Sequence, residues 1–251
     1  MKQKKRRDLI IISLVLSIML LSSGLLWASG SNDNYQAGLK AFRKGNYQVA
    51  VPKLVAAISD NPDLMYPHYV LGLTYYRLEQ YKFAETQFKK AHQINPEHYR
   101  VMVNLGRAYL KRNKLGQAIE ITKMAINVKK EDGDAYNVLG RAYMNQGNLQ
   151  EAINSLQQAA KLDDENYYIL NNLGYAYIQT GEYKKAIPVL KEATKLRPTV
   201  PYLYNNLGIA YENTDNLDKA TEAYQKALDI NNNYTKARTN LKRVKRLLEE
   251  D

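Results

Sequence analysis

Residues 173–186 read LGYAYIQTGEYKKA, and the pattern within this stretch decides the fold of the chain. Its first glycine recurs every 34 residues, at Gly38, Gly72, Gly106, Gly140, Gly174 and Gly208. Twelve residues after each glycine comes an alanine, at Ala50, Ala84, Ala118, Ala152, Ala186 and Ala220. Because the chain has only 13 glycines, six of them in one register indicate an internal repeat.

The residue pattern of each 34-residue unit predicts two helices joined by a short turn. The recurring glycine and alanine are small residues, and they are expected where the two helices approach closely. The predicted turn positions hold Gly45, Glu79, Asn113, Gly147, Gly181 and Asp215, most of which tolerate unusual backbone angles or favour turns. A single helical hairpin cannot bury its own apolar face, so neighbouring units are expected to stack.

The pattern resembles the tetratricopeptide repeat family, in which Leu-Gly is followed by a tyrosine three residues after the glycine. That element stands at Leu71-Gly72, Leu105-Gly106, Leu139-Gly140, Leu173-Gly174 and Leu207-Gly208, whereas the first unit has Ala37-Gly38 and Ala41 instead. The family's closing proline is present as Pro62, Pro96 and Pro198, and it is replaced by Lys130, Asp164 and Asn232 in the other units.

The resemblance implies an all-α fold, a right-handed superhelical solenoid of six helix-turn-helix repeats. The expected repeats are residues 31–64, 65–98, 99–132, 133–166, 167–200 and 201–234. Residues 235–251 are expected to form a C-terminal capping helix with a charged outer side, including Lys242 and Arg243.

The N-terminal residues predict a membrane or export segment. Residues 1–8 form a basic tail, residues 9–28 contain no charged residue, and residues 29–33 form a short linker. Twenty apolar residues in a helix span about 30 Å, the thickness of a bilayer core. A retained signal-anchor helix would place the repeats outside the cytoplasm, on the periplasmic or cell-surface side. The alternative is a signal peptide that is cleaved after Gly24 or Ala28, which would release a periplasmic or secreted protein.

Charge and composition narrow the classes of function. The net charge is +11, but residues 1–8 carry +4 and residues 235–251 carry +3, which leaves only +4 between them. This distribution gives only weak support to a nucleic-acid-binding body. The chain has no cysteine, which excludes disulfides, thiolate metal sites and a cysteine nucleophile. Its three histidines form no known catalytic or metal-binding motif, so we expect neither an enzyme nor a bound metal or cofactor.

The resemblance also implies a concave groove, lined by the first helix of each repeat, as the binding surface. Carried over by position, the groove residues are Tyr35, Tyr66, Tyr69, Tyr76, Arg100, Asn104, Arg107, Asn137, Arg141, Asn171, Asn172, Tyr175, Asn205 and Asn206. The tyrosines suit apolar or proline-rich anchors, and the arginines suit carboxylates. A line of asparagines that includes Asn240 would hydrogen-bond the backbone of an extended peptide.

These patterns predict a membrane-tethered scaffold that binds extended segments of partner proteins, in the assembly of an envelope or membrane complex. A homo-oligomerising structural repeat protein is the alternative interpretation. A binder of RNA or another anionic polymer is a further one, although the charge distribution does not favour it. The expected partners are therefore proteins or peptides, with the membrane contacted through the N-terminal helix.

Overall fold

The computed structural model describes residues 32–250, and every regular element in that range is a helix. This confirms the all-α class. The helices are α1 (residues 32–43), α2 (Tyr47–Asp60), α3 (Met65–Arg77), α4 (Tyr81–Ile94), α5 (Tyr99–Lys111), α6 (Leu115–Val128), α7 (Gly133–Gln146), α8 (Leu149–Leu162), α9 (Tyr167–Gln179), α10 (Tyr183–Leu196), α11 (Pro201–Glu212), α12 (Leu217–Ile230) and α13 (Thr235–Glu250).

The turns that precede the even-numbered helices share one backbone feature, a residue with positive φ. Six residues in these turns adopt a positive φ: Gly45 (77°), Glu79 (60°), Asn113 (56°), Gly147 (88°), Gly181 (76°) and Asp215 (61°). These are the six positions that the sequence predicts as turns. A left-handed residue ends one helix and redirects the chain, and glycine or asparagine adopts that conformation at the lowest cost.

The chain forms two compact units, one ending at Arg112 and the other beginning at Asn113. The boundary falls within the third expected repeat. Unit 1 contains α1 to α5, with a core that includes Leu54 and Leu71. Unit 2 contains α6 to α13, and one of its core clusters includes Leu156, Leu173 and Leu190.

Within each unit the odd-numbered helices lie side by side. In unit 1, α3 contacts α5, and in unit 2, α7 contacts α9, α9 contacts α11 and α11 contacts α13. In the described part of unit 2, by contrast, α8, α10 and α12 do not contact one another. The odd-numbered helices therefore line the inner face of each unit, and the even-numbered helices are spread apart on its outer face.

Glycine makes the close helix pairing possible. A Cβ added at Gly174 would lie 2.5 Å from Cγ of Leu190, and one at Gly208 would lie 2.5 Å from Cε1 of Tyr224. Both partners are fully buried on the following even-numbered helix. At Gly174 and Gly208, the space that a Cβ would take is thus filled by a large side chain of the following helix.

The last helix closes unit 2 through both an apolar and a polar contact. Ala237, Leu241 and Val244 of α13 are buried against the preceding helices. Arg243 is exposed, and it forms two hydrogen bonds with Glu212, from Nε (2.6 Å) and Nη2 (2.7 Å). The exposed side chain of Arg243 therefore reaches Glu212, the last residue of α11, from the position next to buried Val244.

The predicted signal-anchor segment, residues 9–28, and its basic tail lie outside the described residues, as does most of the linker. Within residues 32–250, no helix has both the length and the apolar character required to cross a membrane.

Candidate functional site

The inner face of unit 2 contains a cleft of about 430 Å³ between α9, α11 and α13. It brings together three of the predicted groove residues, Tyr175, Asn205 and Asn206. The cleft also has walls that the groove prediction did not include. Its full lining is Tyr175, Asn205, Asn206, Ile209, Tyr234, Thr235, Lys236, Thr239 and Asn240.

A ladder of asparagine side chains runs along the inner face of unit 2. Nδ2 of Asn172 donates to Oδ1 of Asn137 (2.8 Å), which joins α9 to α7. An equivalent hydrogen bond joins α11 to α9, from Nδ2 of Asn206 to Oδ1 of Asn171 (2.9 Å). A third joins α13 to α11, from Asn240 to Asn205 (3.0 Å). Each bond spans 35 residues, so a pair of adjacent asparagines in one repeat links to both neighbours.

This ladder defines which asparagine groups face the cleft. Asn137 and Asn205 are only 2% and 3% exposed, so their main role is to accept the bond from the next repeat. Asn206 is half-buried and lines the cleft. An amide has two N–H donors and an acceptor oxygen. The ladder uses one donor of Asn172, Asn206 and Asn240 and the acceptor oxygen of Asn137, Asn171 and Asn205. The binding of a peptide backbone by these side chains stays a prediction, now with their orientation known.

Tyrosines form the rim of the inner face where α9 and α11 begin. The guanidinium of Arg141 lies 5.5 Å from the ring centre of Tyr168, and that of Arg197 lies 5.4 Å from the ring centre of Tyr167. Burial, followed by the neighbouring Tyr167 and Tyr168, raises the pKa of Tyr202 to about 12. This cluster offers flat aromatic surfaces that are held in place by cations.

The raised pKa of Tyr202 predicts a loss of stability at alkaline pH. An unfolded tyrosine releases its proton near pH 10, whereas folded Tyr202 keeps it until about pH 12. The folded state therefore binds more protons in that window, and the free energy of unfolding should fall as the pH rises from 10 towards 12. We expect the Tyr202→Phe variant to show a shallower fall, measured by urea denaturation across this range. An identical pH slope in both proteins would contradict the assignment.

The inner face of unit 1 carries a second aromatic cluster. The ring of His98 lies 5.9 Å from Tyr66, edge to face, and 5.7 Å from Tyr69. His98 also stacks on Tyr99 at 6.5 Å, and Nε of Arg100 donates to the Tyr99 hydroxyl (2.9 Å). Tyr66 remains 55% exposed, so it is the surface that a ligand would meet. The groove prediction missed His98 and Tyr99, although an aromatic or histidine directly before the helix was the available signal.

The remaining predicted groove residues of unit 1 have polar or aromatic neighbours. Asn104 donates to the Tyr69 hydroxyl (3.1 Å) and accepts from Arg107 (3.2 Å). Tyr76 packs edge to face on Tyr81 at 5.3 Å. Burial is the main cause that raises the pKa of Tyr35, and Tyr66 contributes to the same shift.

The three predicted groove arginines fall in different units. Arg100 and Arg107 lie on α5 in unit 1, and Arg141 lies on α7 in unit 2. Arg100 lies against the Tyr99 ring, Arg107 donates to Asn104, and Arg141 lies over the Tyr168 ring. A joint patch that binds carboxylates stays a prediction.

Among the described residues, His68 and His98 have hydrogen-bond partners, whereas Nδ1 of His92 is buried without one. His68, expected in a core or half-buried position, is buried; its Nε2 donates to the Pro62 carbonyl (3.0 Å), and its Nδ1 pairs with the Gln87 side-chain amide (2.7 Å). The ring of His98 accepts a bond from the Val101 amide and caps α5. Burial lowers the pKa of His92. In residues 32–250, no group of three or more histidine or acidic side chains is placed to hold a metal ion.

Comparison with protein families yields three overlapping matches, each to the tetratricopeptide repeat. They cover residues 75–142, 137–201 and 201–244. No curated protein matches the chain significantly in sequence.

Several solved structures are similar to the chain. TTC0263, described as a thermophilic TPR protein in Thermus thermophilus, is 26% identical over 72% of this chain and 98% of its own, with a TM-score of 0.59. YrrB, described as a TPR protein with an unusual peptide-binding site, is 21% identical over 73% of this chain and 95% of its own (TM-score 0.58). The pilF protein of Pseudomonas aeruginosa is 14% identical over 85% of this chain and 97% of its own (TM-score 0.73). The last two likenesses concern the fold alone.

Proposed function

The chain belongs to the tetratricopeptide repeat family, and from that premise we propose that it binds extended segments of partner proteins along its inner faces. The observation that carries the proposal is the cleft between α9, α11 and α13, whose walls come from successive odd-numbered helices. A ligand that runs across those helices meets a repeating set of side chains. An extended chain presents a repeating backbone to match it.

The chemistry of the cleft suits a peptide rather than a reaction. Tyr175 and Ile209 provide apolar surface, and Asn206 and Thr239 provide neutral hydrogen-bonding groups. Lys236 adds one cation, which would favour a carbonyl or a carboxylate of the ligand. This combination supports recognition without a nucleophile or a paired acid and base. We therefore propose a binding function without catalysis.

We further propose that residues 9–28 tether the protein to a membrane, or are removed on export, with the repeats outside the cytoplasm. The support is the sequence of residues 1–28, in which five basic residues precede an uncharged apolar stretch. A scaffold at that position would assemble partners of an envelope complex. Sequencing the N-terminus of the mature protein distinguishes the retained segment from the cleaved one.

Site-specific photo-crosslinking in the native cell tests the inner-face proposal. Benzoylphenylalanine would replace Tyr66 in unit 1 and Tyr175 in unit 2, which lie on the inner face and are 55% and 38% exposed. Matched controls are Phe83 and Met124 on even-numbered helices, which are 55% and 42% exposed. We expect discrete crosslinked adducts from the two inner positions and much weaker ones from the two controls, because exposure is similar and only the face differs.

The pattern of adducts decides the outcome. Adducts at Tyr66 or Tyr175 that contain a different protein support the proposal, and mass spectrometry would name the partner. Adducts of equal strength at Phe83 and Met124 would contradict it, since the inner face would then have no preference. Adducts that contain only a second copy of this chain would favour the homo-oligomeric alternative.

A further inference from the structure

Unit 2 has a second groove on its outer face, away from the asparagine ladder. It encloses about 500 Å³ between α10 and α12, with α11 beneath. The groove exists because α10 and α12 do not contact each other, which leaves a side of α11 uncovered. We call it the lysine-rimmed groove. Its lining residues are Lys191, Thr194, Lys195, Tyr204, Leu207, Tyr211, Lys219, Glu222, Ala223 and Lys226.

The floor and the rim of the lysine-rimmed groove differ in chemistry. Leu207 and Ala223 are buried at the bottom, and the rings of Tyr204 and Tyr211 are half-buried beside them. The four lysines on the rim are all exposed, and Glu222 is the one acid among the lining residues. An apolar floor within a basic rim suits a ligand that has an apolar group flanked by negative charges.

Two of the rim lysines have partners, and two are available. Nζ of Lys195 lies 2.8 Å from Oε2 of Glu192, and Nζ of Lys219 lies 5.8 Å from the ring centre of Tyr211. Lys191 and Lys226 form no ion pair with any residue of the described range, and they lie on opposite sides of the groove, on α10 and α12. A ligand that bridges the groove would therefore meet an available cation on each side.

The corresponding place one repeat earlier has no lysine at the positions equivalent to Lys191 and Lys226. Residues 34 positions before Lys191 and Lys226 are Gln157 and Glu192. Gln157 donates to the hydroxyl of Tyr177 (2.8 Å), which itself corresponds to Tyr211. The preceding repeat thus has a neutral and an acidic residue where this groove has two lysines. The other two rim lysines, Lys195 and Lys219, have lysine counterparts in that repeat, Lys161 and Lys185. The pair Lys191 and Lys226 is therefore what distinguishes this groove from the place one repeat earlier.

We infer that the lysine-rimmed groove docks an acidic segment of a partner protein, with one or two apolar side chains on the Leu207 floor and carboxylates against Lys191 and Lys226. The basic rim favours an acidic partner. The apolar floor favours a peptide over a polyanion such as RNA, because RNA has no apolar side chain to insert. This site acts independently of the inner face. It would let the protein hold two partners at once.

The test uses the full chain and a fluorescent synthetic peptide in which leucines are flanked by glutamates. The Lys191→Gln/Lys226→Glu variant copies the residues of the preceding repeat, so the fold is expected to tolerate it. The control, Lys161→Gln/Lys242→Glu, makes the same change in charge at two exposed positions outside the groove. We expect the groove variant to weaken peptide binding by at least about tenfold and the control to change it by less than about twofold, measured by fluorescence anisotropy.

Two further probes identify the ligand class. A peptide with serine in place of the leucines should bind more weakly, because the floor then gains nothing, and one with glutamine in place of the glutamates should lose binding. Failure of the leucine–glutamate peptide to bind, or equal weakening by the control variant, would overturn the inference. Binding of phosphatidylserine vesicles or of RNA that depends on Lys191 and Lys226, without peptide binding, would also overturn it. Thermal unfolding followed by circular dichroism checks that both variants are folded.

Discussion

Replacing Gly174 by alanine is expected to lower the free energy of unfolding by about 1–3 kcal/mol, because the new methyl group has no space. Its Cβ would lie 2.5 Å from Cγ and 2.6 Å from Cδ2 of Leu190, distances that real Cβ atoms do not show. Leu190 is fully buried in a core cluster of unit 2 and cannot turn towards solvent. The helices α9 and α10 would have to separate. Urea denaturation followed by circular dichroism measures the change.

Gly116 provides the matched control for this substitution. It lies in α6, exposed, with no atom within 4 Å of the position that a Cβ would take. The same replacement there is expected to be neutral or to stabilise by up to about 1 kcal/mol, because alanine restricts the unfolded chain more than glycine does. A second check is the Gly174→Ala/Leu190→Ala double variant, in which the clash is removed and the two losses should not add. Equal effects at Gly174 and Gly116 would contradict the packing argument.

Replacing Arg243 by methionine is expected to destabilise the C-terminal end of unit 2 by about 1–3 kcal/mol. Its partner Glu212 has a side chain only 11% exposed, whereas that of Arg243 is 45% exposed. The hydroxyl of Tyr224 also donates to Glu212 (2.6 Å), and among the described residues it is the donor that remains when Arg243 is lost. A mostly buried carboxylate without its cation carries a desolvation cost.

The effect should be concentrated in α13, because each helix of a repeat array depends on its neighbours. Amide hydrogen exchange would then show faster opening of Thr235–Glu250 than of α7 or α9. Lys242→Met, at the exposed adjacent position, is the control, and its expected effect is within about 0.5 kcal/mol. If the double variant Glu212→Gln/Arg243→Met loses as much as the sum of the single variants, the pair is not coupled and the prediction fails.

The two faces of unit 2 present different chemistries for binding. The inner cleft is lined mostly by uncharged residues, among them amides and tyrosines, and Lys236 is the one charged residue in its lining. The lysine-rimmed groove is apolar at the floor and basic at the rim. A partner segment that is neutral and extended would suit the first, and an acidic one would suit the second. The crosslinking and anisotropy experiments therefore test separate proposals, and a negative result in one does not contradict the other.

The sequence by itself determined the helices, their turns and their pairing. The period of 34 places a glycine where a second helix must approach, and it places Gly147 and Gly181 where φ is positive. These features depend on single residues at constant offsets, since backbone freedom and the absence of a Cβ are properties of one residue. The recurring asparagines and tyrosines were visible in the same way, as residue types at groove positions.

Only the tertiary structure decided which of these side chains meet. Asn137 and Asn172 bond to each other, Arg243 turns to Glu212, and the space between α10 and α12 becomes a groove. Each contact joins residues from different helices, and a small rotation of one helix would exchange the partners. The periodic pattern indicates a residue's face, but the packing of buried side chains such as Leu190 sets the rotation of each helix. For this reason the repeat and several groove residues were predictable from sequence, whereas the full lining of the inner cleft and the lysine-rimmed groove required the structure.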